Sequence, residues 1–140
     1  MNVVMVGRRE EKLKELGEEL KNTYEIDYKV VKADFSLPDA TDKIFAATEN
    51  LDMGFMAYVA CLHSFGKIQD TPWEKHEAMI NVNVVTFMKC FYHYMKIFAA
   101  QDRGAVINVS SMTGISSSPW NGQYGACLLY TSPSPRDKRQ

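Results

Sequence analysis

The sequence has no excess of charge of either sign and few cysteines, and both shortages exclude classes of protein. Lysine and arginine total 16 against 17 aspartate and glutamate residues, so the formal net charge is -1. This balance provides no field that would attract nucleic acid or an anionic membrane, and neither is expected as a partner. The three cysteines, Cys61, Cys90 and Cys127, are odd in number and widely spaced. They favour free thiols in a reducing, cytoplasmic compartment over a secreted disulfide framework.

Long apolar runs are also lacking. The N-terminal stretch becomes charged at Arg8, before an apolar region long enough for a signal peptide has formed. The most apolar long stretch, residues 78–100, is interrupted by polar side chains that a bilayer span would not tolerate: Asn81, Asn83, Lys89, His93 and Lys96. The sequence therefore predicts neither a signal peptide nor a membrane span.

The sequence also has few residue pairs with the spacing of metal ligands. Cys90 and His93 share a helical face, but no further pair of ligands has a suitable spacing. Phe91 and Tyr92 between them indicate packing, and we predict no metal site.

What the sequence does contain is an alternation of short β-rich runs with helical periodicity. Strands are predicted at residues 2–6, 27–33, 54–60 and 105–109. An amphipathic helix is predicted over residues 9–23, with Leu13, Leu16 and Leu20 on its apolar face and Glu10 paired with Lys14. The 54–60 run is apolar throughout, as expected for a strand covered on both faces. The order is typical of βαβ units and a parallel sheet.

Two further helices have recognisable start signals. Ser36, followed by Leu-Pro-Asp, resembles a cap for a helix reaching about Glu49. Thr71-Pro72-Trp73-Glu74 combines a hydroxyl cap, a proline and a carboxylate, and the helix it opens is predicted to continue, with a bend, to Ala100. Residues 128–140 lose the apolar period and contain two Ser-Pro steps, so they are predicted to be a non-helical and non-native tail.

Taken in order, these elements resemble the short-chain dehydrogenase/reductase family, over residues 2–127. The features that carry the resemblance are a strand ending in Ala33-Asp34-Phe35, a helix with Asn81-Val82-Asn83, a strand ending in Ser110-Ser111, and Tyr124 at the family's interval after Ser111. The phrases at Met1–Val4, at Ala33–Ser36 and at Leu51–Gly54 are most similar to the branch of 17β-hydroxysteroid dehydrogenases and 3-oxoacyl reductases.

The resemblance implies catalytic roles for three residues. Tyr124 would be the acid that protonates the substrate oxygen, and Ser111 would donate a hydrogen bond to it. Asn83 would support a proton relay. The alternatives are a serine that bonds nearby backbone and an asparagine that bonds local helix backbone. The family places a lysine four positions after the tyrosine, where this chain has Leu128. We therefore expect these 140 residues alone to be inactive.

The resemblance also implies a nicotinamide cofactor. Arg8 and Arg9 follow the first strand, where the fold meets the adenosine ribose, and guanidinium groups there favour NADP over NAD. Solvated arginines at a helix start are the alternative. Asp34 and Phe35 match positions beside the adenine. Ala60 and Cys61 lie at the family's cofactor-binding turn, where Cys61 replaces a glycine.

The implied fold is a partial doubly wound parallel sheet, Rossmann-like, formed by residues 1–127 as one domain. It lacks the family's first strand, with its glycine-rich turn, and the C-terminal strands. The implied activity is hydride transfer between NADP(H) and a carbonyl or alcohol, such as a steroid or fatty-acyl ketone, in a homo-oligomer. The alternative is a non-catalytic interaction module that uses the Phe-rich helix over residues 84–100 as a subunit contact.

Overall fold

The computed structural model describes residues 1–116 and 119–131, without the side chains of residues 130 and 131. It divides into two compact units, one formed by Met1–Asp52 and the other beginning at Met53. We describe each unit by itself. The four strands form two two-stranded sheets, one in each unit.

The first unit is a βαβα arrangement. Strand β1 (Val3–Gly7) leads into helix α1 (Glu10–Tyr24), and strand β2 (Tyr28–Lys32) leads into helix α2 (Ala40–Thr48). β1 and β2 pair in parallel, as the alternation of elements predicted. The Glu10–Lys14 pair is also confirmed, with the two charged atoms 2.9 Å apart. Leu16, however, is 44% exposed, so the predicted leucine face of α1 is wrong at that position.

The second unit contains the remaining elements. Strand β3 (Phe55–Tyr58) is followed by helix α3 (Trp73–Ile80), a π-helical segment (Asn81–Thr86), helix α4 (Phe87–Ala100), strand β4 (Ala105–Asn108) and helix α5 (Gly122–Thr131). β3 and β4 pair in parallel. Its core is formed by apolar side chains from the strands and helices: Met56, Tyr58, Met79, Val82, Phe87, Cys90, Tyr94, Phe98, Cys127 and Leu128.

The long helical stretch is interrupted by the π-helical segment, whose wider turn departs from the regular backbone bonding of the helix, and the bend stays a prediction. The Tyr58 hydroxyl donates a hydrogen bond of 2.5 Å to the carbonyl of Val82 in this segment. Since both residues are buried, this bond satisfies two polar groups and ties the segment to β3.

Three local predictions are wrong. Thr71 does not cap α3, because its hydroxyl donates to the Lys67 carbonyl at 3.1 Å instead. Ser36 does not cap α2, because its amide and hydroxyl both bond the Asp34 carboxylate and the helix begins only at Ala40. Strand β3 is not covered on both faces, since Phe55 and Ala57 are exposed and only Met56 and Tyr58 are buried.

The predicted non-helical tail also needs correction at its start. Helix α5 continues through Thr131, and Leu128 is a buried residue of the core. Residues 132–140 lie outside the described residues, and the boundary placed at residue 127 stays a prediction.

Candidate active site

Ser111 and Tyr124 converge at the carboxyl end of β4. Ser111 lies three residues beyond the strand, and Tyr124 lies in the first turn of α5. Hydrogen bonding from the Ser111 side chain lowers the pKa of the Tyr124 phenol, so the two side chains lie near each other. Ser111 Oγ also accepts a bond of 3.2 Å from the Thr113 amide. The alternative prediction for Ser111, a hydroxyl that bonds nearby backbone, is therefore also correct. That bond accounts for only part of the interactions of the Ser111 hydroxyl.

The balance of influences on Tyr124 favours the protonated phenol. Burial is the largest and raises its pKa above the ordinary value, and the electrostatic interaction and hydrogen bond with Cys61 raise the pKa further. The Ser111 bond opposes these effects and is smaller. The phenol therefore retains its proton at neutral pH.

Cys61 reaches the site from the loop that follows β3. It is exposed, and the preceding Ala60 is partly exposed. The neighbouring Leu62 is held in both directions by the Asn83 amide: the Leu62 N–H donates to Oδ1 at 2.9 Å, and Nδ2 donates to the Leu62 carbonyl at 2.7 Å. Asn83 is 3% exposed. Its side chain therefore fixes the loop that carries Cys61 instead of bonding local helix backbone.

Several residues beside Tyr124 were missed by sequence reasoning. The His63 ring packs edge-on against the Tyr124 ring with centroids 4.7 Å apart, and His63 Nε2 lies 2.8 Å from Asn121 Oδ1. Gln123 bonds the ring of His76 and donates to the His76 carbonyl at 3.3 Å. Both histidines lie far from α5 in sequence, so only the adjacency of Asn121 and Gln123 to Tyr124 could have indicated this role.

A cleft of about 320 Å³ opens beside Tyr124. Its apolar lining comes from Ile68, Met79 and Trp120, and its polar lining includes the side chains of Asn121 and Gln123. Polar residues such as Lys67, Gln69 and His76 also line the cleft, although most of its exposed surface is apolar. Apolar surface with convergent polar groups is typical of small-molecule sites. Ser111 does not line this cleft, so the pair of hydroxyl groups stands at its border.

The position at which the family has a lysine is filled by Leu128, which is 5% exposed. It packs beside Gly114, where an added Cβ would come within 3.3 Å of the leucine Cβ. Leu128 is an apolar side chain, so it provides no positive charge that would lower the pKa of Tyr124.

The residues predicted to bind the cofactor on the first unit also lie at a carboxyl edge. Arg8 follows β1, and a guanidinium nitrogen lies 3.9 Å from Asp34 Oδ2 beyond β2. Arg9 precedes α1 and is exposed, and Phe35 is partly exposed. Hydrogen bonds from the Ser36 hydroxyl and amide lower the pKa of Asp34, and Arg8 lowers it further. Arg8 is 69% exposed, so its guanidinium remains open to an anionic ligand.

The described residues contain neither a cluster of metal ligands nor a membrane-spanning helix. No group of three His, Cys, Asp or Glu side chains there is placed to hold a metal ion. No helix in that part of the chain combines the length and the apolar character that a membrane crossing requires.

Parallel strands joined by helices, with polar side chains gathered at their carboxyl edges, define a Rossmann-type α/β protein. The particular family follows from comparison of the whole sequence. The short chain dehydrogenase family model matches residues 1–127, and the chain belongs to that family. Proteins of this class perform hydride chemistry with a nicotinamide dinucleotide.

Two related sequences and one solved structure show which members of the family resemble the chain. The chain is 82% identical over 126 residues to a 7beta-hydroxysteroid dehydrogenase of Collinsella aerofaciens, covering 90% of this chain and 48% of that protein. It is 40% identical to a 7beta-hydroxysteroid dehydrogenase of Clostridium sardiniense, covering 93% and 50%. A solved 7beta-hydroxysteroid dehydrogenase structure superposes with a TM-score of 0.91 at 79% identity, covering 93% of this chain and 52% of the other.

The chain thus spans about half the length of the curated relatives it matches. Hydroxysteroid dehydrogenases are among those relatives, as the sequence motifs predicted. The Rossmann-like parallel pairing is confirmed by the superposition and by the β1–β2 and β3–β4 ladders.

Proposed function

We propose that this chain forms part of an NADP-linked hydroxysteroid dehydrogenase that interconverts a 7β-hydroxyl group and the corresponding ketone. The observation that carries the proposal is the placement of Ser111 after β4 and of Tyr124 at the start of α5, near enough for the Ser111 side chain to lower the pKa of the phenol. Identity of 82% to a 7beta-hydroxysteroid dehydrogenase supports the choice of substrate. A pair of hydroxyl groups beside a largely apolar cleft suits a steroid whose reacting oxygen is its only buried polar group.

Each residue has a separate task in this proposal. The Tyr124 phenol donates its proton to the substrate oxygen as that oxygen becomes an alkoxide, and Ser111 donates a hydrogen bond to the same oxygen. Asn83 holds the Leu62 backbone and thereby the loop that presents Ala60 and Cys61. The cofactor supplies the hydride when it is bound. Because the pKa of the phenol is raised, the protonated form that can donate to the substrate oxygen is the populated form near neutral pH.

The test uses a hybrid enzyme, in which residues 1–127 of this chain replace the matching stretch of the Collinsella aerofaciens relative. Tyr124→Phe should lower kcat for a 7-oxosteroid by about 10²- to 10⁴-fold, because the proton donor is lost. Ser111→Ala should lower it by about 10²- to 10³-fold. It should also move the pH profile upward, because the bond that lowers the pKa of Tyr124 is gone.

The matched control is Tyr24→Phe, which removes the same hydroxyl from a tyrosine that is 68% exposed at the end of α1. That variant should keep full activity. Near-normal turnover by Tyr124→Phe, in a hybrid that is active before the substitution, would refute the assigned roles.

NADP is proposed over NAD because Arg8 presents an exposed guanidinium at the carboxyl edge of β1 and β2. A 2′-phosphate would be bound by Arg8, with Arg9 beside it and Asp34 and Phe35 near the adenine. In the hybrid, Arg8→Ala should raise KM for NADPH by about tenfold to a hundredfold, since a charge-assisted hydrogen bond is lost, and leave KM for NADH nearly unchanged. Lys12→Ala, on the exposed side of α1, is the charge-matched control. Equal losses with both cofactors would contradict the choice of NADP.

A second candidate function, subunit association, is favoured by a specific observation on α4 and the segment before it. Val85, Met88, Tyr92 and Met95 are each more than a third exposed and recur at helical spacing, so they form one apolar stripe. We propose that this stripe makes the homo-oligomer contact of a cytoplasmic enzyme. Size-exclusion chromatography with and without NADPH distinguishes the enzyme from a non-catalytic module. Cofactor-independent assembly without any nucleotide affinity would favour the module.

A further inference from the structure

Trp120 has a backbone conformation that its side chain disfavours. Its φ is +71°, in the left-handed region that bulky residues rarely adopt. Glycine or asparagine would meet the demands of this backbone more easily. A tryptophan here therefore calls for a reason other than the local turn.

The surroundings hold this conformation from both sides. The Trp120 carbonyl accepts a 3.3 Å hydrogen bond from the Gly66 amide. The next residue, Asn121, is 7% exposed and is fixed by its bond to His63. Trp120 therefore cannot adopt a negative φ without breaking the hydrogen bond to Gly66 or the one between Asn121 and His63.

The conformation brings the indole ring to the cleft beside Tyr124. Trp120 and Tyr124 both line that cleft, and Trp120 is 55% exposed. Lys67 Nζ lies 5.6 Å from the centre of the indole ring, within the range of a cation–π interaction that restrains the ring. Ile68 and Met79 continue the apolar lining.

We infer that Trp120 is a specificity-determining residue, the aromatic wall against which a flat fused-ring substrate lies while its oxygen meets Tyr124. The inference rests on the proposed function and names the part of the cleft that recognises the steroid ring system. A large rigid aromatic surface suits a rigid apolar ligand because neither partner loses much conformational freedom on contact.

The substitution Trp120→Gly separates this role from a purely structural one. Glycine satisfies the positive φ better than tryptophan, so a residue needed only for the turn could be replaced without loss. If the indole contacts the steroid, its removal should weaken substrate binding. In the hybrid enzyme, KM for a 7-oxosteroid should then rise about tenfold while kcat stays within about twofold. Trp120→Phe should recover most of the affinity, and turnover of a small acyclic ketone should respond to neither substitution. An unchanged steroid KM in Trp120→Gly overturns the inference.

A binding measurement gives an independent readout on the hybrid enzyme. Trp120→Phe removes this indole and keeps most of the affinity, so the part of the fluorescence change that this variant loses reports Trp120. Adding a 7β-hydroxysteroid should change the indole fluorescence saturably, and a linear fatty alcohol should not. The two hypotheses fail differently: absence of any steroid turnover by the hybrid rejects the proposed function. Turnover with an unaltered KM in Trp120→Gly and no saturable fluorescence change rejects the role of Trp120 alone.

Discussion

The three thiols of the chain differ in exposure and therefore in expected reactivity. Cys61 is exposed, whereas Cys90 and Cys127 are buried. Burial raises the pKa of Cys90 to about 11 and also raises the pKa of Cys127, so little thiolate forms at either site. Alkylation with iodoacetamide at pH 8 should label Cys61 first, with the two buried thiols labelled only in urea. Peptide mass spectrometry reads the three sites separately.

Cys61→Ser is the control for this labelling experiment, because it should abolish the rapid phase and leave the slow phases unchanged. Rapid labelling of Cys90 in the native chain would contradict the packing of α4 described above. Raising the pH should accelerate labelling of Cys90, since the thiolate fraction grows as its pKa is approached.

At the same scale, the sequence predicted that Ser111 and Tyr124 lie together but not which residues surround them. Ser111 and Tyr124 are found from a spacing along the chain, because a loop after a strand and the next helix are neighbours in sequence. The contacts of Tyr124 with Cys61 and His63 join residues about sixty positions apart, and no local pattern encodes them. For Asn83, the type of residue was informative, but its partner, the Leu62 backbone, was not predictable.

At the scale of elements, replacing Gly17 in α1 has two opposing effects on the stability of the protein. Replacing a helical glycine with alanine ordinarily stabilises a protein by about 1 kcal/mol. Here an added Cβ would lie 2.3 Å from the Tyr28 ring, and that ring is held by a hydrogen bond from its hydroxyl to Glu18. Overpacking of this kind costs about 1–3 kcal/mol. Gly17→Ala should therefore lower the free energy of unfolding, by about 1 kcal/mol.

Thermal unfolding followed by circular dichroism measures this effect, with Gly122→Ala as the matched control. Gly122 is also helical, but an added Cβ there meets nothing within 4 Å. The control should be neutral or mildly stabilising. A higher melting temperature for Gly17→Ala would mean that the Tyr28 ring moves aside at little energetic cost, and would contradict the prediction.

The four strands and the helices before residue 101 were predicted to within a few residues, whereas α5 and the caps and covered faces of the elements were not. Alternation and helical periodicity are properties of a segment, so β1 and α1 could be located from sequence alone. Capping depends on which acceptor a hydroxyl reaches, and Thr71 has a carbonyl four residues earlier within 3.1 Å. Similarly, apolar residues along β3 do not specify what covers them, and Phe55 is 40% exposed.

At the scale of the whole molecule, each unit has its own two-stranded sheet and its own buried residues. A two-stranded sheet is only marginally stable by itself and depends on the helices that pack against it. We therefore expect the isolated 140-residue chain to be poorly stable, to aggregate readily and to unfold without a single steep transition. The two tryptophans, Trp73 and Trp120, both belong to the second unit, so fluorescence reports that unit alone. Far-ultraviolet circular dichroism reports the helices of both units.

Urea unfolding curves from the two probes should therefore fail to coincide, which is a recognised sign of departure from two-state behaviour. Two core truncations sharpen the test, because each should cost about 2–5 kcal/mol in its own unit. Ile44→Ala, at a residue 5% exposed in the first unit, should shift the dichroism curve and leave the fluorescence curve in place. Met79→Ala, at a residue 1% exposed in the second unit, should shift the fluorescence curve. Superimposable curves that move together in both variants would show that the chain unfolds as one cooperative body.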